Sequence, residues 1–349
     1  MGSNHTALTA GCPGGGPSDA SPGGPASTDL QNYMVLSASQ KTAVATLCSV
    51  AGALCGLENA AVLFLIASCR HLRRKPSYLF LGSLAGADLL ASPVFVCSFL
   101  DFHVLNRVDS RETYLLKLGG VTLVFTGSVG SLLLTAGDRY LCLGHPARYK
   151  ALLTPGRALA ALAAMWLATA AVSFLPLVGW GCCGPSCSQL FPWVPGDFLL
   201  SWIVLLTGLL LAIVLAYAYI LRLARRHAAC LAGRRAQPGP GQARLRLDVQ
   251  LAKTLGLVLA VLIGCWSPVL AFMAYSLFAP LDGPAKRAFA FCSILCLLNS
   301  MVNPMVYALR SGDLRTAARR RLAGWRRGPQ EPDEARKTSA TETEGGPGA

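Results

Sequence analysis

Apolar residues dominate the chain in long stretches, and the polar positions gather between them. Seven such stretches stand out, at about 42–68, 77–100, 113–137, 158–180, 198–221, 252–279 and 286–309, each nearly free of charge. A helix rises about 1.5 Å per residue, so roughly 20 residues of this kind cross about 30 Å of hydrocarbon. The pattern predicts an all-α membrane protein whose core is a bundle of seven transmembrane helices, spanning residues 41–310.

Composition agrees, with 53% hydrophobic and 14% charged residues among 349. The charge is unevenly shared between the connections. The segment before run 1, the connections 2–3, 4–5 and 6–7 and the run ends beside them hold six basic residues: Lys41, Arg107, Arg111, Lys117, Lys286 and Arg287. The other 25 of 31 Lys and Arg lie in the alternate connections and the C-terminal segment. The positive-inside rule then predicts an extracellular N-terminus and a cytoplasmic C-terminus. A net charge of +14 is accounted for by this topology and does not call for nucleic acid.

Residues 1–40 are rich in Gly, Pro, Ser and Thr, which predicts a disordered extracellular tail without a cleavable signal. Asn4-His5-Thr6 within it is a glycosylation sequon. Of the 13 cysteines six fall inside apolar runs and Cys69 and Cys142 lie just past run ends, but Cys182, Cys183 and Cys187 crowd one outside connection. An oxidising compartment favours one bridge there, leaving one thiol unpaired. Zinc is the rival reading and lacks a fourth ligand.

Polar side chains inside the runs are costly in lipid and therefore informative. Run 1 carries Glu58 and Asn59, run 2 Asp88, run 3 Ser128, and run 7 Asn299 and Asn303. Asp88 grouped with Ser128 and Asn299 admits two readings: a site for a small cation such as sodium, with hard oxygen ligands, or a proton-bearing packing cluster. Pro93, Pro176, Pro268 and Pro304 fall within runs 2, 4, 6 and 7, where each removes a backbone hydrogen bond and permits a kink. After run 7, Ser311-Gly312-Asp313 starts a short amphipathic helix, 313–326 within the segment 311–327. Leu314, Ala317, Ala318, Leu322 and Trp325 are expected toward lipid, and the arginines toward headgroups. Residues 328–349 read as a disordered cytoplasmic tail.

Asn59 in run 1, SLAGAD ending at Asp88, the DRY triplet Asp138-Arg139-Tyr140, Trp166 in run 4, CWSP at 265–268 and NPMVY at 303–307 occur in this order in successive spans. Together they resemble the rhodopsin-like (class A) G-protein-coupled receptors over about residues 35–325. RRKPSYLFLGSLAGADLLAS (73–92), VGSLLLTAGDRYLCL (129–143) and RLDVQLAKTLGLVLAVLIGCW (246–266) are similar to cannabinoid receptors in particular. The short N-terminal tail, YKALLTPGRAL (149–159) and TETE (341–344) resemble the type 2 branch of that family more than the type 1 branch. Two departures from most class A chains fit the same family: no Cys from 98 to 141 and no Pro between Pro195 and Pro238.

The resemblance implies a receptor for endocannabinoid lipids that activates inhibitory heterotrimeric G proteins and so lowers adenylate cyclase activity. It also implies arrestin and receptor kinases as later partners, the pairing Cys182–Cys187, and phosphorylation among Thr338, Ser339, Thr341 and Thr343. Val121 falls where amine receptors carry an Asp, so a cationic amine has no partner. The expected pocket is lined by Phe95, Phe99, Phe102, His103, Phe125, Phe191, Trp202, Trp266 and Phe289, which suits a long apolar ligand. Thr122, Ser293 and His103 orient its headgroup. Activation would work through Trp266 and Pro268, with Arg139 held by Asp138 and by Asp248 across the bundle. Tyr140, Tyr217, Asn303, Pro304 and Tyr307 complete the switch.

No spacing sets a nucleophile beside a base, and neither a zinc HExxH helix nor a phosphate loop occurs, so an enzyme is not expected. A receptor for another lipid mediator stays open. A secondary transporter would show repeated halves with matched broken helices, and the prolines here are unmatched.

Overall fold

The structure is a computed structural model that describes residues 33–107, 109–182, 187–233 and 259–326. Side chains at 224, 227–233, 307–310, 322 and 324–326 are outside that description, as are Asn4, Asp248 and the four candidate phosphosites.

Eleven helices are described: α1 Ala38–Ser68, α2 Arg70–Arg73, α3 Pro76–His103, α4 Arg111–Gly144, α5 Pro146–Leu152, α6 Pro155–Ser173, α7 Leu175–Val178, α8 Gly196–Gly233, α9 Leu259–Tyr275, α10 Gly283–Arg310 and α11 Gly312–Arg326. Six of them, α1, α3, α4, α6, α8 and α10, are long and apolar enough to cross a membrane; α9, described from Leu259 onward, is the seventh member of the bundle.

Local chemistry sets the helix starts. Ser37 caps α1 in a capping box, its hydroxyl accepting from the Gln40 N–H while the Gln40 side chain accepts from the Ser37 N–H. Ser110 and Thr154 cap α4 and α6 in the same sense. Pro76, Pro146 and Pro155 open their helices where a missing N–H costs nothing. Capping brings α1 to Ala38, inside the segment expected as a tail, and Tyr33 already donates to the Ser188 carbonyl at 3.0 Å.

α4 is the axis, packed against α3, α6 and α8. Its approach to α6 depends on the absence of a side chain: a Cβ on Gly127 would lie 2.7 Å from the Trp166 ring. Trp166 Nε1 donates to Ser83 Oγ at 2.9 Å, tying α6 to α3.

Two expectations are corrected here. Run 4 does not continue to residue 180: α6 ends at Ser173, and Pro176 sits in the first turn of the separate helix α7, so it starts a helix and kinks none. Leu314 and Ala317 do not face lipid. Both are buried, Leu314 in a cluster with Val62, Ile66, Leu81 and Ala85, because α11 presses its apolar edge against the ends of α1 and α3. The start of α11 does follow the sequence, with Ser311 Oγ accepting from the Leu314 N–H at 3.0 Å.

The connection between α7 and α8 carries the Cys182–Cys187 disulfide, with 5.6 Å between Cα atoms. It is held further by the Cys182 N–H on the Trp193 carbonyl and the Ser188 N–H on the Val194 carbonyl.

Candidate functional site

Helical spacing turns the aromatic residues of α3 inward: Phe95, Phe99 and Phe102 recur at three- and four-residue intervals. Val121, Thr122 and Phe125 do so on α4, Trp266 on α9, and Phe289 and Ser293 on α10. With Phe191 from the loop and Trp202 from α8, all twelve expected ligand residues, His103 included, line one cavity of about 150 Å³. The rings form a continuous path. Phe95 stacks on Phe99 (centroids 4.9 Å apart), meets Phe125 edge-on (5.4 Å), and Phe125 meets Trp266 edge-on at 5.8 Å. Phe191 closes over Phe289 at 5.7 Å.

Polar atoms in the cavity are few and mostly engaged. Thr122 and Ser293 donate to the carbonyls of Leu118 and Phe289, one turn earlier, which leaves their lone pairs to accept from a ligand. Trp202 Nε1 donates to Thr126 Oγ1 at 3.1 Å. His103 Nδ1 and Trp266 Nε1 are buried with no hydrogen-bond partner among the described residues. The charged residues of the lining, Lys117 and Asp109, neutralise each other at 2.8 Å, and Asp101 lies 2.8 Å from the same ammonium. A neutral amphiphile with a small hydrogen-bonding head therefore matches the cavity; a bare cation or anion finds its partners already taken.

Further along the bundle, fully buried Asp88 accepts from Ser128 (2.6 Å) and Ser300 (2.8 Å) on one carboxylate oxygen and from Asn303 (2.8 Å) on the other. Asn299 is buried nearby in sequence, but Ser300 and Asn303 supply the contacts from α10. Pro304 has no N–H for the Ser300 carbonyl, and Asn59 Nδ2 donates to that carbonyl at 3.2 Å instead. The other amide atom, Asn59 Oδ1, is buried without a partner among the described residues. The Asp88 carboxylate and the two hydroxyls on it, Ser128 and Ser300, are oxygen donors of the kind a small hard cation takes.

At the opposite end from the cavity, Asp138 is buried and pairs with Arg139, whose guanidinium also donates to Ser77 Oγ. Ser77 and Tyr149 donate to the same carboxylate at 2.9 and 2.7 Å. Burial, more than any neighbour, pushes the Tyr149 hydroxyl up to about 12, so it stays a donor at physiological pH. Tyr140 packs on Tyr219 with centroids 4.8 Å apart, and Tyr217 is buried in the core. Pro268 lies in α9 two residues after Trp266. Asp248 and the Tyr307 side chain lie outside the described residues.

The family model described as "7 transmembrane receptor (rhodopsin family)" matches residues 58–307. Human "Cannabinoid receptor 2" is 58% identical over 323 residues, covering 91% of this chain and 90% of that one. The rat protein of the same name is 55% identical over 331 residues, with 93% and 92% covered. "Cannabinoid receptor 1" of Taricha granulosa is 47% identical over 304 residues, with 83% and 64% covered. The chain belongs to the cannabinoid receptors. It is a multi-pass plasma-membrane receptor and not an enzyme.

Several groups of this receptor's site escaped the sequence. Ser77 in the first turn of α3 and Tyr149 in α5 are common residue types, with nothing local to mark them as partners of Asp138. Ser300 sits beside the Asn expected in its place, and only the helix phase decides between them. Leu190, Val194 and Met273 also line the cavity, where a count of aromatics in the outer half-spans overlooks aliphatic and loop contributors; Phe198, at the first turn of α8, lines it as well.

Proposed function

We propose that the receptor binds an endocannabinoid, an arachidonoyl amide or ester, in the aromatic cavity, and that binding activates inhibitory heterotrimeric G proteins, lowering adenylate cyclase activity. The observation that carries this reading is a cavity walled by rings whose lining charges, among the described residues, are paired with each other or with Asp101. An apolar ligand gains by removing area from water and needs only the lone pairs of Thr122 and Ser293 to set its head.

In this reading the N-terminus is extracellular and the end bearing Arg139 is cytoplasmic. Pressure on Trp266 changes the kink at Pro268 and swings the cytoplasmic end of α9. That motion releases Arg139 from Asp138, and from Asp248 where the two approach, while Tyr217 and Tyr307 hold the opened form. Sodium, when bound by Asp88, Ser128, Ser300 and Asn303, supplies a fixed positive charge that ties α3, α4 and α10 together. Asn4 carries glycan, and Thr338, Ser339, Thr341 and Thr343 accept phosphate from receptor kinases for arrestin.

Radioligand competition with an arachidonoyl amide, run beside nucleotide exchange on an inhibitory G protein, tests the reading. Saturable competition with agonist-stimulated exchange is expected. Ligand flux into sealed vesicles without exchange would point to a transporter, and competition only by another lipid class to a different mediator.

A further inference from the structure

A second cavity lies far from the aromatic one, where the short helix α2 meets α11. It has a volume of about 500 Å³ and is lined by Cys69, Arg70, His71, Asp313, Arg320 and Arg321 among others. A volume of this size matches a small-molecule site. Its electrostatics are one-sided. Arg70 and Arg320 make no ion pair among the described residues, and the acid of the lining, Asp313, is already engaged by Lys75 Nζ at 2.7 Å and by the Tyr78 hydroxyl at 3.4 Å. The Lys75 contact holds the Asp313 carboxyl below its ordinary range, so the acid stays a satisfied anion and leaves the arginines uncompensated. Three guanidiniums and an imidazole facing one concavity attract a compact multiple anion.

The surroundings indicate where that anion comes from. Arg321 bridges to the end of α1, donating to the Ser68 carbonyl at 3.2 Å and lying 5.9 Å from the Phe64 ring. Phe64 is 59% exposed on a membrane-spanning helix, so its open face meets acyl chains. A lipid with its head among Arg70, Arg320 and Arg321 can therefore run its tail along Phe64. The geometry points to a binding site for an inositol lipid bearing phosphomonoesters on its headgroup, seated between α2 and α11. Each phosphomonoester carries about −1.5 to −2 charges near neutral pH, so two of them match the cationic lining, whereas a single phosphodiester does not. Such a lipid would clamp α11 to the first connection. The site rests on the membrane orientation proposed above, because phosphorylated inositol lipids belong to the cytoplasmic leaflet.

The test uses the full-length receptor in lipid nanodiscs, with cannabinoid radioligand binding as the check on fold and on the proposed function. A fluorescent bisphosphorylated inositol lipid, at a few per cent of a phosphatidylcholine disc, is titrated against the parent, Arg70→Gln/Arg320→Gln and Arg315→Gln/Arg319→Gln. The last pair removes the same charge from α11 at positions that do not line the cavity. Saturable binding by the parent and the control pair is expected, with the cavity pair weakened about tenfold or more, as follows from removing hydrogen bonds between charged groups. Equal weakening in both pairs, or displacement by phosphatidylserine at matched charge, would reduce the site to general attraction and overturn it. Competition by the soluble inositol trisphosphate headgroup as strong as by the lipid would overturn the lipid source. Intact radioligand binding beside failed lipid binding would reject this site and leave the receptor reading standing; the reverse result would do the opposite.

Discussion

Two buried aspartates, Asp88 and Asp138, each collect several hydrogen bonds, but from different kinds of donor. Asp88 receives only neutral donors among the described residues, Ser128, Ser300 and Asn303. Asp138 receives Ser77 and Tyr149 as well, but it also has the Arg139 guanidinium beside it. The first site lies within the span and has no resident countercharge among those residues, so it has room for a proton or a small cation. The second sits in the last two turns of α4, where its partner cation is part of the protein; under the proposed function that cation is the group handed to the G protein. Similar burial and similar hydrogen-bond numbers thus leave one carboxylate among neutral donors alone and the other in an ion pair.

The same isosteric change at both places should break that comparison most sharply. Asp138→Asn removes the one charge partner that Arg139 has among the described residues. Removing one member of a buried pair costs about 3 kcal/mol, at the lower end because the arginine is partly solvated. Thermal unfolding in detergent should show that destabilisation, together with raised basal nucleotide exchange; an unchanged midpoint and basal rate would mean the pair restrains nothing. Next in size, Phe191→Ala should weaken agonist binding about tenfold, because the ring no longer keeps water from the ligand's apolar surface at the top of the cavity. Competition binding unchanged in both Phe191→Ala and Ser293→Ala would place the ligand elsewhere.

Asp88→Asn should cost less than about 1 kcal/mol, since its neutral donors can still be met if the Asn303 amide turns over. Its mark should be the disappearance of any sodium dependence of agonist affinity. Smallest of all, Lys75→Ala removes an exposed pair with Asp313 that is worth at most about 0.5 kcal/mol. Its pH signature has a fixed sign. The Asp313 carboxyl is held low in the folded state, so the contribution is present above the ordinary carboxylate range and lost as pH falls through the folded value. A parent-minus-variant difference that instead grew on acidification would contradict the pairing.

The sequence was most readable where a single residue type decides the outcome. Long apolar runs marked the spans, and aromatic and small polar residues of the outer half-spans, with Val121 and with Phe191 of the loop, marked the twelve residues that line one cavity. It was least readable where two residue positions compete. Asn299 and Ser300 are neighbours in sequence yet face different ways, and only the phase of α10 selects Ser300 for Asp88. At Pro176 the residue was legible but its consequence was not: a proline kinks a helix that continues and opens one that begins, and the break falls at Phe174, whose ring lies against Gly119 of α4. Leu314 likewise faces inward because α1 and α3 leave it a socket, which an amphipathic pattern read alone cannot reveal.

The loop disulfide has one more consequence. Because Cys182 is joined to Cys187 and not to α4, the segment carrying Leu190, Phe191 and Val194 is tied back to that small ring by hydrogen bonds and has no disulfide to the helix it covers. It behaves as a stiff stopper resting on the mouth of a flask. The residence time of a ligand beneath it is then governed by hydrogen bonds and ring contacts that can open and close in concert, with no covalent bond to break.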